Sequence, residues 1–351
     1  MSEAGGPGGV SLVLGAHYFV GIHVALAVAR EEGRLRCLAP DPAAVPSAVR
    51  DAIGPAATWE AGSAGDARGV EGLTRAMEGV RTLYHCDEDY RTWARDPREI
   101  YRHNVDGTAR VLDAARAAGV ERVVYTSSVG ALGRIGDGTL ADEETPARLE
   151  AMVGHYQRSK FMADRLVEER VREGAPVVTV HPPASVGEFD LQPTPVGKLI
   201  VDFVSGRIPA TMESGRNFLD VREAARGHLL AARRGRVGRR YVLGGENLTV
   251  RDFLERLGRV TGRAAPTRTL PQWVARAFAA TQEARSRFTG RPPRVSIESV
   301  RAASQKMFFS TARAEEELGF RAAPLEPSLE RAVEWFRSVG LIERQAAGGV
   351  R

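Results

Sequence analysis

Lysine is nearly missing from this sequence: of 49 basic residues only Lys160, Lys198 and Lys306 are lysines. The formal net charge of +5 is therefore almost wholly arginine. It reads as scattered among acids, with no basic stripe interleaved with aromatics, which argues against a nucleic-acid partner. Cysteine is scarcer still. Cys37 and Cys86 both fall in strand-like runs, which argues against a disulfide framework and for reduced, buried thiols in a cytoplasmic protein. The seven histidines show no metal-ligand spacing such as H-E-x-x-H, so no metal is expected. Long apolar runs are absent too. Residues 10–29 carry no charge, but they include Gly15, His17, Gly21 and His23, so they read as strand, turn and helix, not as a membrane span. No targeting signal or internal repeat is visible.

What is present is a chain of 351 residues, 43% hydrophobic, enough for one large or two coupled domains. Strand-like runs at 10–14, 35–39, 57–60, 81–86, 121–127 and 176–181 alternate with helical stretches near 19–31, 66–78, 97–118 and 155–173. This alternation predicts an α/β fold with a doubly wound parallel sheet covered on both faces. The pattern turns irregular after residue 183. We expect a sheet domain over 8–183, with 215–245 returning to it, a smaller C-terminal substrate lobe from 184–214 and 246–340, and a disordered tail at 341–351.

The chemistry concentrates in two segments. "RVVYTSS" is a continuous apolar strand that ends in Ser127 and Ser128, at the sheet edge where open α/β folds bind ligands. In "HYQRSK", Tyr156 and Lys160 stand four apart, on one face of a helix. An ammonium beside a phenol favours phenolate and lowers its pKa, so Tyr156 is a candidate general acid or base and Ser128 a hydrogen-bond donor to the same substrate oxygen.

With these motifs in place the chain resembles the extended short-chain dehydrogenase/reductase family, and within it the dihydroflavonol reductase-like and hopanoid-associated sugar epimerase group. "NVDGTARVLDAA", "GVERVVYTSSVGALG", "GHYQRSKFMAD", "PTPVGKLIVDFVSGRIPA" and "KMFFSTARAEEELGF" carry the likeness. It implies a Rossmann fold, a catalytic trio of Ser128, Tyr156 and Lys160, and Asn104 as a supporting asparagine. It also implies that Gly15, position 18, Gly21, position 63 and positions 87 and 88 face a nicotinamide dinucleotide.

Here the sequence departs from the family. The turn usually written T-G-A-T-G-F-V-G reads "LGAHYFVG", so Tyr18 replaces the middle glycine. A phenol ring would crowd the diphosphate, and a non-glycine at positive φ costs about 1–2 kcal/mol. Ser63 replaces the adenine-facing aspartate, and Asp87 and Glu88 replace a small pair. One carboxylate at about 4 Å from a phosphate costs on the order of 4 kcal/mol at an effective dielectric near 20. Carboxylates there would also serve as the anion of the first helix. The resulting expectation is a cofactor-independent enzyme of isomerase, dehydratase or cyclase type. The alternative is an NAD(P)-dependent oxidoreductase or epimerase, and the third reading is a non-catalytic scaffold. The partner is a small molecule, with Tyr90, Trp93, His181, Phe189 and Phe218 as candidate walls of its pocket; the protein is expected to be a homodimer or monomer.

Overall fold

The structure, a computed structural model, describes residues 9–66, 69–91, 94–135, 139–289 and 297–343. Along the chain run β1 (Val10–Leu14), α1 (Phe19–Glu31), β2 (Leu35–Ala39), α2 (Ser47–Ile53), β3 (Ala57–Ala61), α3 (Gly69–Ala76) and β4 (Val80–His85). Next come α4 (Arg98–Tyr101), α5 (Gly107–Ala117), β5 (Arg122–Thr126), α6 (Gly154–Arg172), β6 (Val177–His181) and β7 (Ala184–Val186). The remainder comprises α7 (Pro195–Val204), β8 (Gly215–Asp220), α8 (Val221–Arg234), β9 (Arg240–Val242), β10 (Glu246–Thr249), α9 (Val250–Thr261), α10 (Gln272–Thr289), α11 (Ile297–Ala303), β11 (Lys306–Met307) and α12 (Glu326–Ser338).

Seven strands form one sheet in the order β3-β2-β1-β4-β5-β6-β9, and every neighbouring pair is parallel. This is a Rossmann-type doubly wound sheet, whose order reverses between β1 and β4. The central strands are mostly apolar because both faces are covered. On one face α1 and α8 pack Ile22, Val24, Leu26 and Leu229 against Val13, Val124 and Val180. On the other, α3, α5 and α6 pack Leu73, Val111, Leu112 and Val167 against Leu12, Leu83 and Val123. Each such aliphatic side chain, taken fully out of water, contributes roughly 1.5–3 kcal/mol.

Of residues 215–245, α8 packs with α1 on one face of this sheet and β9 joins its edge, whereas β8 belongs to a second, smaller sheet with β7, β10 and β11. The second sheet and helices α7, α9 and α12 enclose their own core, with Phe203, Phe253, Leu257 and Phe336 fully buried. Helix α9 opens with a capping box between Thr249 and Asp252, which satisfies two of its free amides. Strand register sets the site: Leu14 pairs with His85, His85 with Tyr125, and Thr126 with Val180. Gly15, Cys86–Glu88 and Ser127–Ser128 therefore emerge together at the C-terminal edge of the sheet. Both cysteines are free and buried.

Candidate active site

The turn after β1 keeps the two glycines it needs. Gly15 has φ 86°, and a Cβ there would lie 2.6 Å from the backbone of Asp87. A Cβ at Gly21 would collide with the carbonyl oxygen of Gly15. Tyr18 has φ −90° and ψ 155°, an extended conformation open to any residue, so it carries none of the strain expected of a non-glycine. Its ring lies 3.9 Å from that of His17 and packs edge-on against Tyr90 at 5.8 Å. No side chain caps the N-terminus of α1, and its first turn holds no acid. Its amides and dipole thus remain directed at the sheet edge. His17 Nδ1 is buried with no hydrogen-bond partner, and burial holds this imidazole below its ordinary pKa.

The two carboxylates after β4 go to different partners. Asp87, whose side chain is fully buried, accepts from the Ala64 amide at 2.6 Å and pairs with His103 Nε2 at 3.1 Å. Burial opposes ionisation of both, but the pairing prevails: Asp87 is held below, and His103 above, its ordinary value. Asp87 is therefore not the helix's anion. Glu88 points to the catalytic residues. It accepts from Tyr156 Oη at 3.0 Å and pairs with Lys160 Nζ at 3.2 Å.

Helix α6 presents Tyr156 and Lys160 on one face, as their spacing requires. Lys160 is almost wholly buried, donates to the Thr126 carbonyl at 2.7 Å and sits 5.0 Å from the Tyr125 ring centroid. Burial disfavours its charge; Tyr125, Glu88 and Tyr156 more than offset this and raise its pKa. Ser128, at the end of β5, hydrogen-bonds the Tyr156 phenol and accepts from Gly130 N. The expectation of a phenol lowered by lysine does not hold in this state. Burial and the Glu88 carboxylate raise Tyr156, and the opposing pull of Lys160 and Ser128 does not cancel them. The hydroxyl is held protonated.

Asn104 does not touch the phenol. It lies in a π-helical turn, accepts from Asp89 N at 2.7 Å, and donates to the Asp89 carbonyl and to Ser159 Oγ, both at 2.9 Å. It fastens the loop after β4 to α6. Ser63 sits in the turn after β3, where its carbonyl accepts from Asp66 N.

The expected substrate walls fare unevenly. Phe218 is fully buried and stacked on Phe253 at 4.2 Å, so it is core. His181 is fully buried and bonded through Nε2 to Asp164 at 2.8 Å, a packed strand-end histidine. Phe189, at φ 62°, packs on His23 and Trp335, while Tyr90 donates to the Gln192 carbonyl at 3.1 Å. Trp93 lies outside the described residues. An open cavity of about 590 Å³ lies elsewhere, with Leu132, Ile135, Met152, Arg134, Gln305 and Lys306 among its walls. Sequence reasoning missed it because these residues come from three segments far apart in the chain.

A model of the NAD dependent epimerase/dehydratase family matches residues 11–244. The chain is 38% identical over 277 residues to a putative dihydroflavonol 4-reductase of Synechocystis sp. (78% of this chain, 81% of the relative). It is 32% identical over 280 residues to sterol demethylase protein B of Methylococcus capsulatus (79% of this chain, 85% of the relative). Its fold matches the dTDP-glucose 4,6-dehydratase DesIV of Streptomyces venezuelae, crystallised with NAD bound, at a TM-score of 0.71 and 22% identity over 95% of this chain and 98% of that one.

These findings overturn the expectation of an enzyme without a nicotinamide cofactor: the matching family is NAD-dependent, and a structure of the same fold holds NAD. The site shows why the steric and ionic argument failed at the phosphate end. Tyr18 needs no positive φ and leans on Tyr90, Asp87 is turned to His103 and the Ala64 amide, and the amides of α1 have no side-chain cap. These residues fit a dinucleotide's diphosphate. Glu88 alone engages the groups that the reactive end would use.

Proposed function

The chain belongs to the NAD dependent epimerase/dehydratase family, and we propose that within it the protein is an NAD(P)-dependent oxidoreductase interconverting a ketone and a secondary alcohol on a small, largely apolar molecule. The observation that carries this reading is the convergence of the Ser128 hydroxyl, the Tyr156 phenol and the buried Lys160 ammonium, the last two meeting on one Glu88 oxygen. The names of the two relatives, a flavonoid-type reductase and a sterol-modifying protein, favour an apolar substrate.

Gly15, Gly21 and the amides at the start of α1 would hold the diphosphate, with His17 Nδ1 free to donate or accept beside it. When bound, the nicotinamide supplies or accepts a hydride. The protein's residues handle the proton. In reduction, Tyr156 gives its proton to the substrate oxygen while the Ser128 hydroxyl donates to the same atom. The buried ammonium of Lys160 then stabilises the phenolate that remains. Before that, Tyr156 must exchange its bond to Glu88 for one to the substrate, and Lys160 must loosen from the same carboxylate.

The test is consumption of NADH and NADPH with a panel of aryl, polyketide-like and steroidal ketones. Tyr156→Phe should lower kcat by about a hundredfold to ten-thousandfold while dinucleotide binding persists. Turnover unaffected by that substitution would remove Tyr156 from the reaction.

A further inference from the structure

The positive charge of the chain is not evenly spread, contrary to the impression given by its many arginines. Residues 263–288 contain five arginines and one acid, Glu283, and so hold four of the five net charges. Helix α10 lies in this segment. Trp273, Ala277, Ala280, Thr281, Ala284 and Phe288 follow one another at helical spacing, and every one is exposed. Trp273 is 72% and Phe288 92% exposed, with Phe278 beside them at 53%. A surface helix ordinarily turns such a stripe to the core. Here the inward contact is made by Ala279, and α11 is the packing partner. The stripe extends to exposed Leu270 just before the helix.

The borders of the stripe identify its occupant. Helical positions place Arg276 on one border and Arg285 between Phe288 and Phe278, both exposed, and exposed Arg268 precedes the helix. A second copy docked face to face would set arginine against arginine. An anionic bilayer would take the aromatic rings at its acyl boundary and the guanidinium groups among its head groups. We propose that α10 binds the protein peripherally to anionic membrane surfaces by seating Trp273, Phe278 and Phe288 in the interface. The helix lies on the membrane: among the described residues no helix is long and apolar enough to cross one. Gln272, the first residue of α10, also lines the 590 Å³ cavity, so the start of the helix adjoins it. The proposal rests on this surface alone and is independent of the reaction assigned above.

Sedimentation of the full chain with large vesicles tests it. Vesicles of equal parts phosphatidylcholine and phosphatidylglycerol should bind at least about tenfold more tightly than pure phosphatidylcholine, and high salt should weaken the binding. Trp273→Ser with Phe278→Ser and Phe288→Ser should reduce partitioning at least about tenfold, with circular dichroism and dinucleotide binding unchanged. Arg268→Glu with Arg276→Glu should abolish the preference for the anionic lipid. Failure to bind either vesicle, or binding untouched by the triple serine variant, overturns the proposal. So does a dimer in solution that the triple variant dissociates, because a second copy would then cover the stripe.

Discussion

Glu88→Gln separates the roles of the two charged groups around the phenol. The carboxylate stands 3.2 Å from Lys160 Nζ and 3.0 Å from Tyr156 Oη. At that separation and an effective dielectric near 20, its attraction to the ammonium is about 5 kcal/mol. Both groups are drawn from water, the lysine side chain 2% and the glutamate 18% exposed, and this desolvation reduces the net contribution. About 1–3 kcal/mol remains. Lys160, which in the proposed reaction must loosen from Glu88, holds that energy in the free protein and gives it up when a dinucleotide binds. One quantity should therefore appear twice in the Glu88→Gln protein: as a loss of about 1–3 kcal/mol in unfolding free energy, and as a gain of about 5- to 150-fold in dinucleotide affinity. The phenol responds in parallel. Burial and Glu88 hold Tyr156 above its ordinary pKa, so removing the anion lowers it. Alcohol oxidation needs the deprotonated phenol, and its rise with pH should move to lower pH. Denaturant unfolding, calorimetry and pH profiles of kcat/KM measure the three effects. A variant that is less stable yet binds no tighter refutes the reasoning, since Glu88 would then keep its place in the complex.

The Asp87–His103 pair makes stability pH-dependent. His103 is raised above 6.5, so its contribution is complete below that pH and is lost as pH rises through the raised value. Asp87 is depressed below 3.8, so its contribution is present above that pH and lost as pH falls. His103→Gln should therefore cost most between pH 3.8 and 6.5, by about 3 kcal/mol, with the difference shrinking above neutrality. A cost constant across thermal melts from acid to alkaline pH would contradict the pairing. Gly21→Ala should destabilise by about 2 kcal/mol or more and abolish dinucleotide binding, because its Cβ meets the Gly15 carbonyl. Unchanged melting and binding would mean that the turn yields.

Much of this was legible in the sequence where a signal was local. The parallel sheet followed from long alternating segments, and the Ser128, Tyr156 and Lys160 arrangement from a strand end and one helical turn. What escaped was short or distant. α2 spans seven residues, too few for a clear period, and β7, β10 and β11 are each two to four residues long. Asp87 and Glu88 were read as anions facing a phosphate, because their partners lie 16 and 72 positions away, at His103 and Lys160. The sequence places charges but not the pairings that neutralise them. Tyr18 was judged by the glycine it replaces, although its backbone conformation makes no such demand. Averaging charge over the whole chain hid the arginines around α10.

Titration calorimetry of the wild-type protein with NAD⁺, NADH, NADP⁺ and NADPH bears most directly on the central claim, that this altered turn still holds a nicotinamide dinucleotide. The account requires one-to-one, saturable binding of at least one of the four in the micromolar range. Absence of binding for all four, at low and at high salt, would contradict it.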